Sequence, residues 1–266
     1  MRLKFGCCDS ELAILQSTRL LDPVRVANPW LSAELVPTAF PTEDLLRKNH
    51  VDCMIHDLRI LPPDTAEELP LAVFSRRADG RWCMVLPEGS KRLGTVKPLG
   101  CFTPEQQVQL ARLYPKNTVT LLECTWQEAL DLLQAGQLSG LVPAACDMQV
   151  LGLEDRISKY FSPEEVLPAP GQGILAIQTK RGTDCGCLQS VHDRDTGWCA
   201  LAERSFVRAL GRGCAAYAAI DGGLLTLTGL FFSGNGSLQK ADVIGNPQQA
   251  VVLGETLARH MLDFAD

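Results

Sequence analysis

Short apolar runs alternate with amphipathic stretches along most of this chain of 266 residues. The runs at 3–5, 31–36, 51–55 and 71–74 read as strands, the second of them held between Pro29 and Pro37. Helical spacing fills the intervals over 10–16, where Ser10 stands at the N-cap position, and over 42–48. Residues 82–86 form a further strand, and Pro87-Glu88-Gly89 reads as a crossover into a second unit. That unit repeats the pattern, with a glycine turn at Gly100, a helix over 104–113, a strand over 119–122, a helix over 126–134 and a strand over 138–142. Strands alternating with helices of this length predict parallel α/β architecture.

The remainder changes character. An apolar strand follows Gly171-Gln172-Gly173 and is expected to return to the first unit over 173–182. Gly182-Thr183-Asp184-Cys185-Gly186-Cys187 has the composition of a turn or linker. A helix over 198–210, strands over 215–219 and 224–232, a hairpin signal at Gly234-Asn235-Gly236 and an amphipathic helix over 248–264 make a small α+β domain. The expected layout is one lobe at 1–86 with its return strand at 173–182, a second at 87–172, and a C-terminal domain at 190–266. Two α/β lobes joined by crossing strands form a hinged pair with a ligand cleft between them.

Composition narrows the function classes. Hydrophobic residues make up 46% and charged residues 21%, the proportions of an ordinary globular protein. The net charge of −6 argues against a nucleic-acid groove. No run of eighteen apolar residues and no charged-then-apolar leader is present, so the expectation is a cytoplasmic, monomeric protein taking a small-molecule ligand. Eleven cysteines are scattered rather than paired at zinc-ligand spacing, and the four histidines are not paired at helical spacing either. Reduced, buried thiols and no metal are expected.

Three segments stand out together. Leu151-Gly152-Leu153-Glu154-Asp155-Arg156-Ile157 is followed by Pro168-Ala169-Pro170-Gly171-Gln172-Gly173, and then by Glu203-Arg204 leading to Gly211-Arg212-Gly213-Cys214. Their order and content resemble the porphobilinogen deaminase (hydroxymethylbilane synthase) family. The resemblance implies two periplasmic-binding-protein-like (type II) lobes plus a small α+β C-terminal domain. It also implies a dipyrromethane held on Cys214 as primer, with Ser10, Arg156 and Arg204 among the groups that bind it. Nucleophilic attachment needs an accessible thiolate, and the glycines around Cys214 supply access, although Arg212 and Tyr217 replace the family's usual glycine and proline.

Other family positions are substituted. The family's catalytic aspartate follows a His-Ser-(Leu/Met)-Lys segment; here His56-Asp57-Leu58-Arg59 is followed by Ile60, which can neither move a proton nor stabilise a cation. Asp57 and Arg59 are the remaining catalytic candidates in that segment. Cys8, Glu105 and Gln106 stand where carboxylate-binding arginines are expected, and further arginines are missing within Glu123–Ala129. Losing about four charged hydrogen bonds would weaken polycarboxylate binding by roughly 6–12 kcal/mol. The connection from Val36 to Thr42 is short beside the family's lid-like active-site loop. A family member with lost or altered catalysis is therefore expected. Alternatives are an active divergent enzyme building a tetrapyrrole on dipyrromethane, a two-lobed small-molecule sensor, and a cysteine-based metal or redox protein.

Overall fold

A computed structural model describes residues 1–211, 213–232 and 238–263 of the chain. The Gly234-Asn235-Gly236 signal, Arg212 and Phe264, the last residue of the expected final helix, lie outside them. The first lobe begins with β1 (Arg2–Cys8), α1 (Glu11–Ala27), β2 (Ser32–Thr38), α2 (Glu43–Arg47), β3 (Cys53–Asp57) and β4 (Leu71–Phe74). Strand β1 lies parallel to both β2 and β3. Pro37 sits within β2, which is tolerated because β2 is the sheet edge and needs no donor on its outer side.

Helix α1 starts where expected, with the Ser10 hydroxyl accepting from the Ala13 amide at 3.3 Å. It then runs far beyond residue 16 and includes Pro23. Leu20, Leu21 and Val24 on its inner face are buried in the first-lobe core with Phe5 and Ile177, and that burial outweighs the lost helical bond.

The second lobe holds β5 (Cys83–Val85), β6 (Leu99–Cys101), α3 (Pro104–Leu113), β7 (Val119–Leu121), α4 (Trp126–Gln134), β8 (Gly140–Leu141), α5 (Ala145–Val150) and β9 (Ile157–Tyr160). Its sheet order is β7-β6-β8-β5-β9. Because β5 is antiparallel to β8 and β9, the chain crosses between lobes at 75–82, and the crossover expected at residue 87 is moved upstream. Strand β10 (Leu175–Thr179) then returns to the first sheet between β3 and β4, antiparallel to both. The segment expected as a linker leads into a 3-10 helix, Gly186–Val191, whose Leu188 is buried in the first-lobe core beside Cys185 and Cys187.

The third domain contains α6 (Arg194–Leu210), the antiparallel meander β11 (Cys214–Asp221), β12 (Leu224–Phe232) and β13 (Leu238–Gly245), and α7 (Ala250–Asp263). The two helices cover one face of the sheet, with Phe206, Leu225, Leu227, Leu253 and Leu257 between them. Asp193 caps α6 by accepting from the Thr196 amide at 2.7 Å, so the helix begins at Arg194, four residues earlier than expected. No helix among the described residues is long and apolar enough to cross a membrane.

Candidate functional site

The Gly171-Gln172-Gly173 turn fixes how the lobes and third domain meet. Gly171 has φ +76°, and a Cβ there would lie 2.9 Å from the Leu58 carbonyl carbon; Gly173 has φ +79° and comes equally close to the Ala78 carbonyl oxygen. Between them Gln172 is fully buried and donates to the Gly80 carbonyl at 2.7 Å. The Gly171 amide donates to Glu203 of α6 at 2.7 Å. Glu203 also accepts from the Ala218 amide of β11 at 2.7 Å and from the Arg77 guanidinium at 2.5 Å. Arg77 in turn lies 4.8 Å from the Tyr217 ring centroid, so Tyr217 packs into this hub. The motif is structural: one buried carboxylate ties crossover, hinge and third domain together.

Where the three domains converge there is a cavity of about 750 Å³. The first turn of α1 and residues 55–61 supply one wall, Phe102–Glu105 and Trp126 the second, and α6 with the Cys214 loop the third. Its surface is mainly apolar, and Phe102 and Trp126 form a tilted ring pair with centroids 5.2 Å apart.

The structure brings Ser10, Asp57, Arg59, Arg204 and Cys214 to this cavity. The Ser10 hydroxyl is committed to capping α1. Arg59 donates to Asp57 at 2.5 Å and to both oxygens of Asp147 at 3.0 and 3.2 Å. Although burial opposes its charge, the two carboxylates hold the Arg59 guanidinium well above its ordinary value. Asp147 lies on α5, so this cluster spans the cleft; Gln16 reaches the same carboxylate at 3.5 Å, and Arg19 donates to the Gln149 and Val150 carbonyls.

Arg204 has no carboxylate partner among the described residues. It is 9% exposed and donates to the carbonyls of Leu61, Pro62 and Pro63. Burial, only partly offset by the Asp64 charge, pulls its pKa down to about 10. Arg156 departs from expectation: it is not among the cavity-lining residues, and it pairs with Glu88 at 3.2 Å on the second lobe. One of its terminal nitrogens is buried without an acceptor.

Cys214 opens β11 and lines the cavity, but its thiol is buried and bonds the Gly211 carbonyl at 3.4 Å. Burial pushes it up to about 12, with the Glu105 charge adding to the shift, so it stays a thiol at neutral pH. All eleven cysteines are free. Ile60 is 75% exposed at the cavity wall and presents only hydrocarbon. Gln106 is structural, accepting from the Phe102 amide and donating to the Val142 carbonyl, whereas Glu105 lines the cavity without a cationic partner among the described residues.

Sequence reasoning missed Asp147 and the aromatic pair. The available signal for Asp147 was a lone carboxylate inside the apolar stretch 141–148, because acids in such runs are rarely buried unless paired. His56 was read only as part of its segment. Its Nε2 faces Gln178 Oε1 at 3.1 Å, and burial lowers its pKa.

Comparison with known proteins agrees with the segments that first stood out. The family model described as "Porphobilinogen deaminase, dipyromethane cofactor binding domain" matches residues 41–185, and that of the porphobilinogen deaminase C-terminal domain matches 198–263. The porphobilinogen deaminase of Acetivibrio thermocellus is 32% identical over 291 positions, covering 100% of both chains. Those positions outnumber the 266 residues here by 25, so the relative carries segments this chain lacks. The Thermus thermophilus porphobilinogen deaminase is 32% identical over 232 positions, 83% of this chain and 77% of that protein. Among solved structures, a periplasmic VFT2 domain of Bordetella pertussis BvgS aligns over 71% of this chain and 84% of its own at 16% identity, with a TM-score of 0.44. An arginine-specific periplasmic binding protein of Salmonella typhimurium aligns over 78% and 93% at 15% identity, with a TM-score of 0.41. Matched by family models over 41–185 and 198–263, and by a relative along its whole length, the chain belongs to the porphobilinogen deaminase family of tetrapyrrole biosynthesis.

Proposed function

We propose that this chain is a porphobilinogen deaminase-like protein in which the family's turnover has been lost or strongly altered. The observation that carries this reading is the internal neutralisation of the cleft: Arg59 is held by Asp57 and Asp147 instead of facing a ligand. A dipyrromethane brings an acetate and a propionate on each of two pyrroles. The cavity offers it Arg59, already paired, and Arg204, already bonded to three carbonyls, opposed by Asp57, Glu105 and Asp147. This donor set does not fit four carboxylates, and no reaction step is derived through the group. At Ile60, where the family has its aspartate, there is no atom to hold or pass a proton.

Intact-mass measurement of the purified chain, together with porphobilinogen consumption, tests the proposal. The expected results are the mass of the unmodified polypeptide and no consumption. An adduct lost in Cys214→Ala together with product formation would overturn it. That outcome belongs to the second reading, a working divergent deaminase, which is supported by Cys214 lying on the cavity wall just after Gly211 and Gly213, and by two carboxylates nearby in Asp57 and Asp147.

A further inference from the structure

The charge and lining of the interlobe cavity indicate which class of ligand it favours. Its formal charges are the acids Asp57, Glu105 and Asp147 against Arg59 and Arg204, one net negative. The helix ends around it do not reverse that balance. Helices α1, α3 and α4 each carry an acid in the first turn, Glu11, Glu105 and Glu128, so their positive ends already have carboxylates.

Hydrogen-bonding capacity leans the same way. The Gln178 amide nitrogen donates to Glu43 at 2.9 Å and to the Leu69 carbonyl at 2.8 Å, so its oxygen faces His56. The His56 Nε2 at 3.1 Å must therefore carry the ring proton, and Nδ1 is left with a lone pair and no hydrogen-bond partner among the described residues. Glu105 is the one cavity acid with neither an ion pair nor a hydrogen bond to the protein among the described residues. It sits three residues after Phe102, on the wall that also holds Trp126, and those two rings form the paired aromatic surface of the cavity. A half-buried carboxylate without a protein partner among the described residues, on a wall that also carries two aromatic rings and in an apolar chamber with spare acceptors, is complementary to an organic cation.

We propose that the interlobe cavity binds an apolar amine, a ligand with a hydrocarbon or aromatic body and a single ammonium group, held by Glu105 and the Phe102–Trp126 rings. The proposal rests on the loss of the family's polycarboxylate chemistry argued above.

Isothermal titration of the full chain with 2-phenylethylamine and tryptamine, against 3-phenylpropionate and 2-phenylethanol as anionic and neutral matches, tests it. Both amines bind saturably, the alcohol binds more weakly, and the carboxylate is not taken up at the same concentrations. Glu105→Gln weakens amine binding about ten- to hundredfold, the range for one charged hydrogen bond. Trp126→Leu weakens it about three- to thirtyfold, the loss of one cation–π contact. A thermal melt of each variant confirms that the fold is retained. Equal or tighter binding of 3-phenylpropionate, no binding of either amine, or Glu105→Gln without effect would each overturn the proposal. The porphobilinogen assay reads the other question separately. Amine binding by a chain that also consumes porphobilinogen would sink the lost-turnover reading and leave this one standing, whereas absence of both would do the reverse.

Discussion

Replacing Arg59 by methionine isolates what the cleft cluster does. In the native protein one guanidinium is shared by two carboxylates, with side-chain exposures of 15% for Arg59, 15% for Asp57 and 4% for Asp147. Arg59→Met leaves two acids facing each other with little water. Removing one partner of a buried ion pair costs about 3–5 kcal/mol. That is a large share of the roughly 5–15 kcal/mol by which a domain is stable. Asp57→Asn or Asp147→Asn should behave differently, because each leaves a balanced one-to-one pair and removes charge-assisted bonds worth about 1.5–3 kcal/mol at most. Urea unfolding should therefore place Arg59→Met well below both asparagine variants. Combining all three substitutions should recover most of the loss, since an uncharged cluster has nothing left unpaired. Because Asp147 belongs to the second lobe, solution scattering of Arg59→Met should also report a more open particle than the native chain. An Arg59→Met protein within about 1 kcal/mol of native, a typical exposed-pair value, would refute the cluster as the cleft's electrostatic clamp.

Glu203→Gln leaves Arg77 buried without an acid, and should cost about 3–5 kcal/mol in urea unfolding. Gly171→Ala combines a left-handed backbone with a 2.9 Å approach to Leu58, whereas Gly152→Ala, at φ +70° with open space around it, meets only the backbone cost. Chemical denaturation should show Gly171→Ala as the larger loss, beyond the roughly 1 kcal/mol of the conformational cost alone. Burial raises the thiols of Cys83, Cys101, Cys199 and Cys214 to about 12 from an ordinary 9.0. Their contribution is complete below pH 9 and is lost as pH rises from 9 towards 12, by about 1.4 kcal/mol per pH unit for each group. Alkaline unfolding midpoints checked against the four single Cys→Ala variants test this, as does slow alkylation of Cys214 at neutral pH. Glu105→Lys turns the cavity from one net negative to one net positive, and titration should then favour 3-phenylpropionate over 2-phenylethylamine.

Alternation of strands and helices was readable in the chain because each lobe buries its central strands, such as β5, β6 and β10, and only one side of its helices. Partnership between strands was not. Nothing in the apolar run 82–86 says which sheet it joins, and pairing with Leu141 and Lys159 decides that β5 belongs to the second lobe. Helix α1, expected only to residue 16, was underestimated because Leu20, Leu21 and Val24 of its later turns are buried only by tertiary packing. At the site, Cys214, Asp57, Arg59 and Arg204 could be nominated from motif positions. Their commitments could not. That Arg59 bonds Asp147, 88 positions away, or that Arg204 is saturated by Leu61, Pro62 and Pro63, depends on how three domains converge. Arg156 shows the converse, a residue inside one of the three family-like segments that packs outside the cavity.

The substitutions in the cleft are physically linked rather than independent. A carboxylate as buried as Asp147 requires a nearby cation, and Arg59 is the one within reach. Once that pair exists, Arg59 gives little to an arriving anion, because a ligand carboxylate would meet two internal acids first. Arg204 resolves the same problem differently: three carbonyls bond it and the Asp64 charge helps without pairing to it, and its depressed proton affinity records how incompletely burial is offset. The cleft thus retains one partly satisfied cation opposite one unpaired acid, with aromatic rings on the acid's side. In such a chamber a ligand's charge is set by whichever of Glu105 and Arg204 has more freedom to reorient. Glu105 stands in the first turn of a helix with no protein bond to break, while Arg204 must give up three. The balance therefore falls to the acid, and the cleft of an anion-binding family selects a cation.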